Sequence, residues 1–142
     1  MKKYILLTIA SFFYLGCSNN ENSNKNPYLP NYSFSVDLNL NLPLYSNLKY
    51  VSTSVYYPNV GVSGIIVFNT NGSGGYVAFD AACPNQAAGS CAAMTVKGVN
   101  AVCSCDKKEY SLFTGQGQGD TPYPLKQYRV QVINENLIRI SN

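Results

Sequence analysis

Apolar and polar residues alternate without a break from Ser33 to Leu42. Phe34, Val36, Leu38, Leu40 and Leu42 fall on one side, and Ser33, Ser35, Asp37, Asn39 and Asn41 on the other. A period of two sorts side chains onto the two faces of an extended strand, whereas a helix would scatter them around its circumference. The spacing predicts a half-buried strand over Ser33–Leu42. Further runs rich in β-branched and aromatic residues lie at Lys49–Tyr56, Gly64–Phe68, Gly75–Phe79, Met94–Val96, Ala101–Cys103, Glu109–Leu112, Gln127–Ile133 and Leu137–Ile140. Such residues suit a pleated, partly buried surface. Turn-forming stretches separate them at 69–75, Lys97-Gly98, 115–119 and Asn134-Glu135-Asn136, where Gly and Asn tolerate the backbone angles of tight turns. No apolar pattern of helical period lasts for several turns. Many short strands joined by such turns predict an all-β fold, a small antiparallel sandwich or barrel, with no repeat and no second domain.

The chain start breaks this pattern. Met1-Lys2-Lys3 is basic, Tyr4–Leu15 is apolar, and Gly16-Cys17 leads into a polar stretch beginning Ser18-Asn19-Asn20. These are the parts of a secretory signal, and the apolar run is shorter than the roughly 20 residues of a membrane-spanning helix. Tyr14-Leu15-Gly16-Cys17 resembles the lipobox of bacterial lipoproteins, with Tyr14 where Leu is commonest. The resemblance implies cleavage before Cys17, acylation of its thiol, membrane attachment through the lipid, and a place in the cell envelope. Read alone, the residues also allow an ordinary signal peptide with Cys17 as an odd thiol. Residues 1–16 are expected to be the signal peptide, 17–31 a flexible lipid-anchored tether with little to bury, and 32–142 the folded domain.

Composition narrows the function. The 142 residues are 46% hydrophobic, enough for one packed core, and only 12% charged. Net charge is +3, and loss of Lys2 and Lys3 with the signal leaves eight basic against seven acidic residues. That balance lacks the basic face of a nucleic-acid binder. Histidine is absent, which excludes His-assisted nucleophiles, His-ligated zinc and imidazole acid–base steps. The segment Gly115–Gly119 leads to Asp120-Thr121-Pro122 rather than to the Lys-Ser/Thr of a phosphate loop, and reads as a turn. Nothing places Asp80 and Asp106 together as a hydrolytic pair. No enzymatic activity is expected.

Once Cys17 is set aside, four cysteines remain, an even number in an exported chain. Cys83 lies in Asp80-Ala81-Ala82-Cys83-Pro84-Asn85, Cys91 follows, and Cys103 and Cys105 lie in Val102-Cys103-Ser104-Cys105-Asp106. Downstream come Gly115, Pro122-Tyr123-Pro124-Leu125 and the paired runs ending at Ile140. From about Gly64 to Asn142 the order of runs and loops resembles the Rieske iron–sulfur domain, a small antiparallel β-sandwich. That family holds its cluster between a C-x-H loop and a C-x-x-H loop. The resemblance puts Cys83 and Asn85 on the first motif and Cys103 and Asp106 on the second, so both ligand-histidine positions are changed. An amide is a poor iron ligand and a carboxylate a hard one.

Many Rieske domains also clamp the two loops with a disulfide. The resemblance then implies that Cys105 pairs with Cys91, leaving Cys83 and Cys103 to face each other. The first expectation is two disulfides stapling a Rieske-like envelope protein that binds an unidentified envelope partner and holds no cofactor. The alternative is an electron-transfer protein with a cysteine-ligated [2Fe–2S] cluster, akin to a ferredoxin subunit. Structural zinc, or a mixed site using Asp106, stays open too, although one residue between Cys103 and Cys105 is closer than zinc cysteines favour.

Overall fold

The computed structural model describes residues 26–71 and 75–142; the expected signal peptide, Cys17 and most of the tether lie outside the described residues. Among the described residues nine strands form: β1 Ser35–Asn39, β2 Ser54–Tyr57, β3 Ile65–Asn69, β4 Tyr76–Asp80, β5 Thr95–Lys97, β6 Asn100–Val102, β7 Glu109–Ser111, β8 Gln127–Asn134 and β9 Leu137–Ser141. A 3-10 turn, Ser46–Lys49, precedes β2. Six strands make one sheet in the order β1-β9-β8-β4-β3-β2, and β5-β6-β7 make a second. Every named pairing is antiparallel. The fold is all-β, as the alternation and turn chemistry predicted.

Strand β3 shows why the large sheet curls. All five of its residues are buried. Ile65 and Val67 join Leu38, Leu40, Leu48, Ala78, Ile138 and Ile140 in one core. Ile66 and Phe68 join Phe79, Leu112, Met94, Tyr110, Cys83 and Cys103 in the other. Alternation thus supplies two cores from one strand, and the run reads as continuously apolar because neither face meets water. Strands β4 and β8 pair only at Ala78↔Tyr128 and Phe79↔Gln127, which lets β1-β9-β8 fold across β4-β3-β2 and enclose the first core. The small sheet covers the second core and carries the cysteine loops.

Two boundaries differ from expectation. Strand β1 stops at Asn39, whose Oδ1 accepts the Asn41 N–H at 2.9 Å. This side-chain turn competes with the ladder, so Leu42, expected on the buried face, is 47% exposed. Residues 26–31, expected as the end of a flexible tether, pack on the domain instead. Leu29 is buried, Asn26 donates to the Pro84 carbonyl at 2.6 Å, the buried Lys126 Nζ donates to the Pro30 carbonyl at 2.6 Å, and the Tyr28 and Tyr123 rings meet edge to face. The low apolar content of the tether concealed this docking, because Leu29 is its single aliphatic anchor.

Candidate metal and redox centre at the cysteine loops

Strand β4 ends on Asp80, a fully buried carboxylate. It accepts N–H groups from Val62 (2.6 Å), Ser63 (3.2 Å) and Ala82 (2.8 Å), and the Tyr128 hydroxyl at 2.6 Å. A buried carboxylate is tolerable when its lone pairs are filled in this way. Burial, and then the Asp80 carboxylate itself, push the Tyr128 hydroxyl far above its ordinary range. The network ties β4, β8 and the loop before β3 together at the residue where the first cysteine loop departs. Asp80 is therefore a structural brace. The sequence left it without a role; an Asp two residues before a backbone N–H was the available signal.

Loop one, residues 81–94, is closed at its neck by Met94 N–H donating to the Ala81 carbonyl at 2.7 Å. Loop two, residues 103–108, is closed by Cys103 N–H to the Lys108 carbonyl at 2.9 Å, with Lys107 at a left-handed φ of 60°. A third loop, 112–126, packs beside them. Its Gly115 has φ +74°, and a Cβ there would sit 2.8 Å from the Phe79 ring. Only glycine meets both conditions.

Two disulfides join loop one to loop two: Cys83 to Cys103, with Cα atoms 5.4 Å apart, and Cys91 to Cys105, at 5.8 Å. They differ in depth. Cys83 and Cys103 are 3% and 0% exposed within the second core, whereas Cys91 is half-buried and Cys105 exposed. The sulfurs of Cys83, Cys91 and Cys103 lie within 4.8 Å of one another, and Cys105 is bonded to one of them. All four sulfurs therefore form one cluster, with an inner and an outer bond.

The two changed ligand positions behave differently. The Asn85 amide is fully engaged. Its Nδ2 donates to the Tyr110 hydroxyl and the Tyr123 carbonyl, and its Oδ1 accepts the Tyr123 N–H, all at 2.9 Å. It locks loop one to loop three and to the buried Tyr110. Burial raises the Tyr110 hydroxyl above its ordinary pKa against the lowering effect of the Asn85 bond, and the Asp106 charge adds to the rise. Asp106 is exposed, accepting the Lys108 N–H at 3.0 Å and the Gln86 amide at 3.2 Å, a polar link from loop two back to loop one. Tyr110 was missed at the sequence level, since nothing distinguishes it from the other eleven tyrosines.

A histidine-containing Rieske centre does not fit these residues. The chain has no histidine, and the side chain at the first histidine position has no free atom to offer. The four cysteines are a different matter. As thiolates they are the donor set of all-cysteine iron–sulfur centres, and the two loops already bring them together.

Comparison with known proteins bears on the fold. No family model matches the chain, and no curated protein matches its sequence. Among solved structures it is similar to a chain of the complex of reduced oxygenase and oxidized ferredoxin in carbazole 1,9a-dioxygenase. The identity is 14% and the TM-score 0.50, over 75% of this chain and 92% of that one. The ferredoxin of carbazole 1,9a-dioxygenase from Nocardioides aromaticivorans IC177 also aligns, at 15% identity and a TM-score of 0.47, over 76% of this chain and 97% of that one. The first likeness establishes a Rieske-like fold; the second adds no argument. The expectation of no cofactor is corrected here. The sulfurs of Cys83, Cys91 and Cys103 lie within 4.8 Å of one another, on a fold shared with a chain of an oxygenase–ferredoxin complex, and once their disulfides are reduced they would offer a donor set for a metal.

Proposed function

We propose that the protein is a ferredoxin-like electron carrier whose reduced loops hold a [2Fe–2S] cluster through Cys83, Cys91, Cys103 and Cys105. The observation that carries this reading is the convergence of four cysteine sulfurs, three within 4.8 Å of one another, from two loops braced by hydrogen bonds. A bound cluster supplies one-electron transfer at a potential set by its ligands and burial. The chain's own residues contribute the rest. The half-buried Asn85 and the buried Tyr110 hold loop one rigid, and the second core shields Cys83 and Cys103 from water. The disulfide form holds no metal, so the two states exclude each other.

The partner in this reading is a redox protein that docks at the loop tips, by analogy with the oxygenase–ferredoxin complex. The lipobox-like Cys17 would attach the carrier to a membrane. Eight residues lie between Cys17 and Asn26, whose side chain already touches Pro84 of loop one; fully extended, that stretch spans about 30 Å. The cysteine loops would then stay near the lipid surface. Anaerobic reconstitution of the reduced protein with iron and sulfide tests the central part. Visible charge-transfer bands, with two irons and two sulfides per chain, are expected. A colourless product with no bound iron overturns it.

A further inference from the structure

The two disulfides are unequally accessible yet adjacent. A reducing thiolate must approach a disulfide in line with the sulfur–sulfur bond. Cys83 and Cys103, 3% and 0% exposed, leave no such approach from solvent, whereas Cys105 stands at the surface. Cys91 joins the two environments. It is bonded to Cys105 and lies within 4.8 Å of both inner sulfurs, so a modest side-chain shift brings it to attack.

We infer that the Cys91–Cys105 bond is a relay that opens the buried Cys83–Cys103 bond by thiol–disulfide exchange with small thiols. The thiolate of an external monothiol attacks Cys105 Sγ, forming a mixed disulfide and releasing Cys91 as thiolate. Cys91 attacks the inner bond, joins one of its sulfurs and releases the other as thiolate. A second external thiolate takes the first off Cys105 as a free disulfide, leaving the Cys105 thiolate. Cys105 then attacks Cys91, restores the outer bond and releases the second inner thiolate. Two external thiols are oxidised to one disulfide, the inner pair gains two electrons and two protons, and the outer pair is regenerated. This exchange does not depend on a cluster being bound. It does supply the buried thiols which the proposed cluster requires, and further thiol then opens the outer bond.

Single-cysteine variants test the relay through an asymmetry. In oxidised Cys105→Ser protein, Cys91 is a free thiol beside the inner bond. It is expected to displace it at mildly alkaline pH, giving a Cys91–Cys83 or Cys91–Cys103 link. In Cys91→Ser protein the remaining Cys105 thiol is not part of the three-sulfur group, and Cys83–Cys103 stays intact. Cleavage after Lys97 separates Cys83 and Cys91 from the later cysteines, so alkylation and mass spectrometry read the linkage directly. In parallel, glutathione should open the inner bond about tenfold more slowly in the Cys91→Ser, Cys105→Ser double variant than in wild type. The double variant's β8–β9 amide protection checks that it is folded. An unrearranged inner bond in Cys105→Ser overturns the relay. So does equal rearrangement in both single variants, or inner-bond opening in a folded double variant at the wild-type rate or faster.

Discussion

The curled six-stranded sheet and the cysteine-loop end solve the same problem with different chemistry. Around Leu38, Ile65, Val67, Ile138 and Ile140 the chain buries aliphatic side chains between the two halves of the folded sheet. No disulfide is needed there, because alternation along long strands supplies apolar area continuously. At the other end, strands β5, β6 and β7 have three residues each and themselves bury only Ala101 and Tyr110, so the second core is completed by β3, β4 and loop residues. Loops of 14, 6 and 15 residues lie beside them, held by two disulfides, the Asn85 bonds and the Asp80 network. Where the strands are short, covalent and polar links hold the loops that complete the core. In the proposed function the sulfurs of the two disulfides are also the reactive atoms, so one set of atoms both stabilises that end and would carry its chemistry.

The contrast breaks most visibly in the sheet. Ile138→Ala removes a fully buried side chain from the first core and should cost roughly 2–5 kcal/mol. Urea denaturation measures it, and the loss should be the same with the disulfides reduced or intact. A loss that disappears on reduction would show that the two ends are one unit.

Removing the inner disulfide should cost somewhat less. Its separation of 20 residues corresponds to about 3 kcal/mol of loop-closure entropy, so Cys83→Ala with Cys103→Ala lowers the melting temperature. Hydrogen exchange localises the effect. Faster exchange is expected at β5–β7 and unchanged protection at β8–β9, whereas uniform acceleration would contradict the division.

The smallest effect is the pH response of the brace between the two regions. Burial and Asp80 raise the Tyr128 hydroxyl pKa in the folded state, while an unfolded tyrosine ionises near 10. Above that pH the unfolded chain has released a proton that the native state retains, so stability falls as pH rises. Lys126, whose pKa burial lowers, acts in the opposite direction below about 10.5, where stability rises with pH. Urea midpoints measured across the alkaline range should therefore decline less steeply in Tyr128→Phe. An unchanged slope would remove Tyr128 from the account.

The two regions were also unequally legible. Every strand of the structure overlaps a run picked out by alternation or β-rich composition, because period two and turn chemistry are local signals. The signals failed where side chains compete with the ladder, as Asn39 does at the end of β1. They failed again where a single residue such as Leu29 docks a polar segment. At the site, the sequence singled out four cysteines, and the structure joins them in two disulfides. The sequence could not reveal the depth difference between Cys83 and Cys105, the engagement of Asn85 by Tyr110 and Tyr123, or the Asp80–Tyr128 contact across 48 residues. Those depend on which loops the fold brings side by side.

In the proposed function, four cysteine sulfurs on two loops act as one metal and redox centre. Mössbauer spectroscopy of protein reconstituted with iron-57 under reducing conditions tests it most directly. Two iron sites per chain are expected, both coordinated only by sulfur and equivalent when oxidised, since each would have two cysteine thiolates and no nitrogen ligand is possible without histidine. Iron bound only adventitiously, or no iron retained after desalting, would contradict the account.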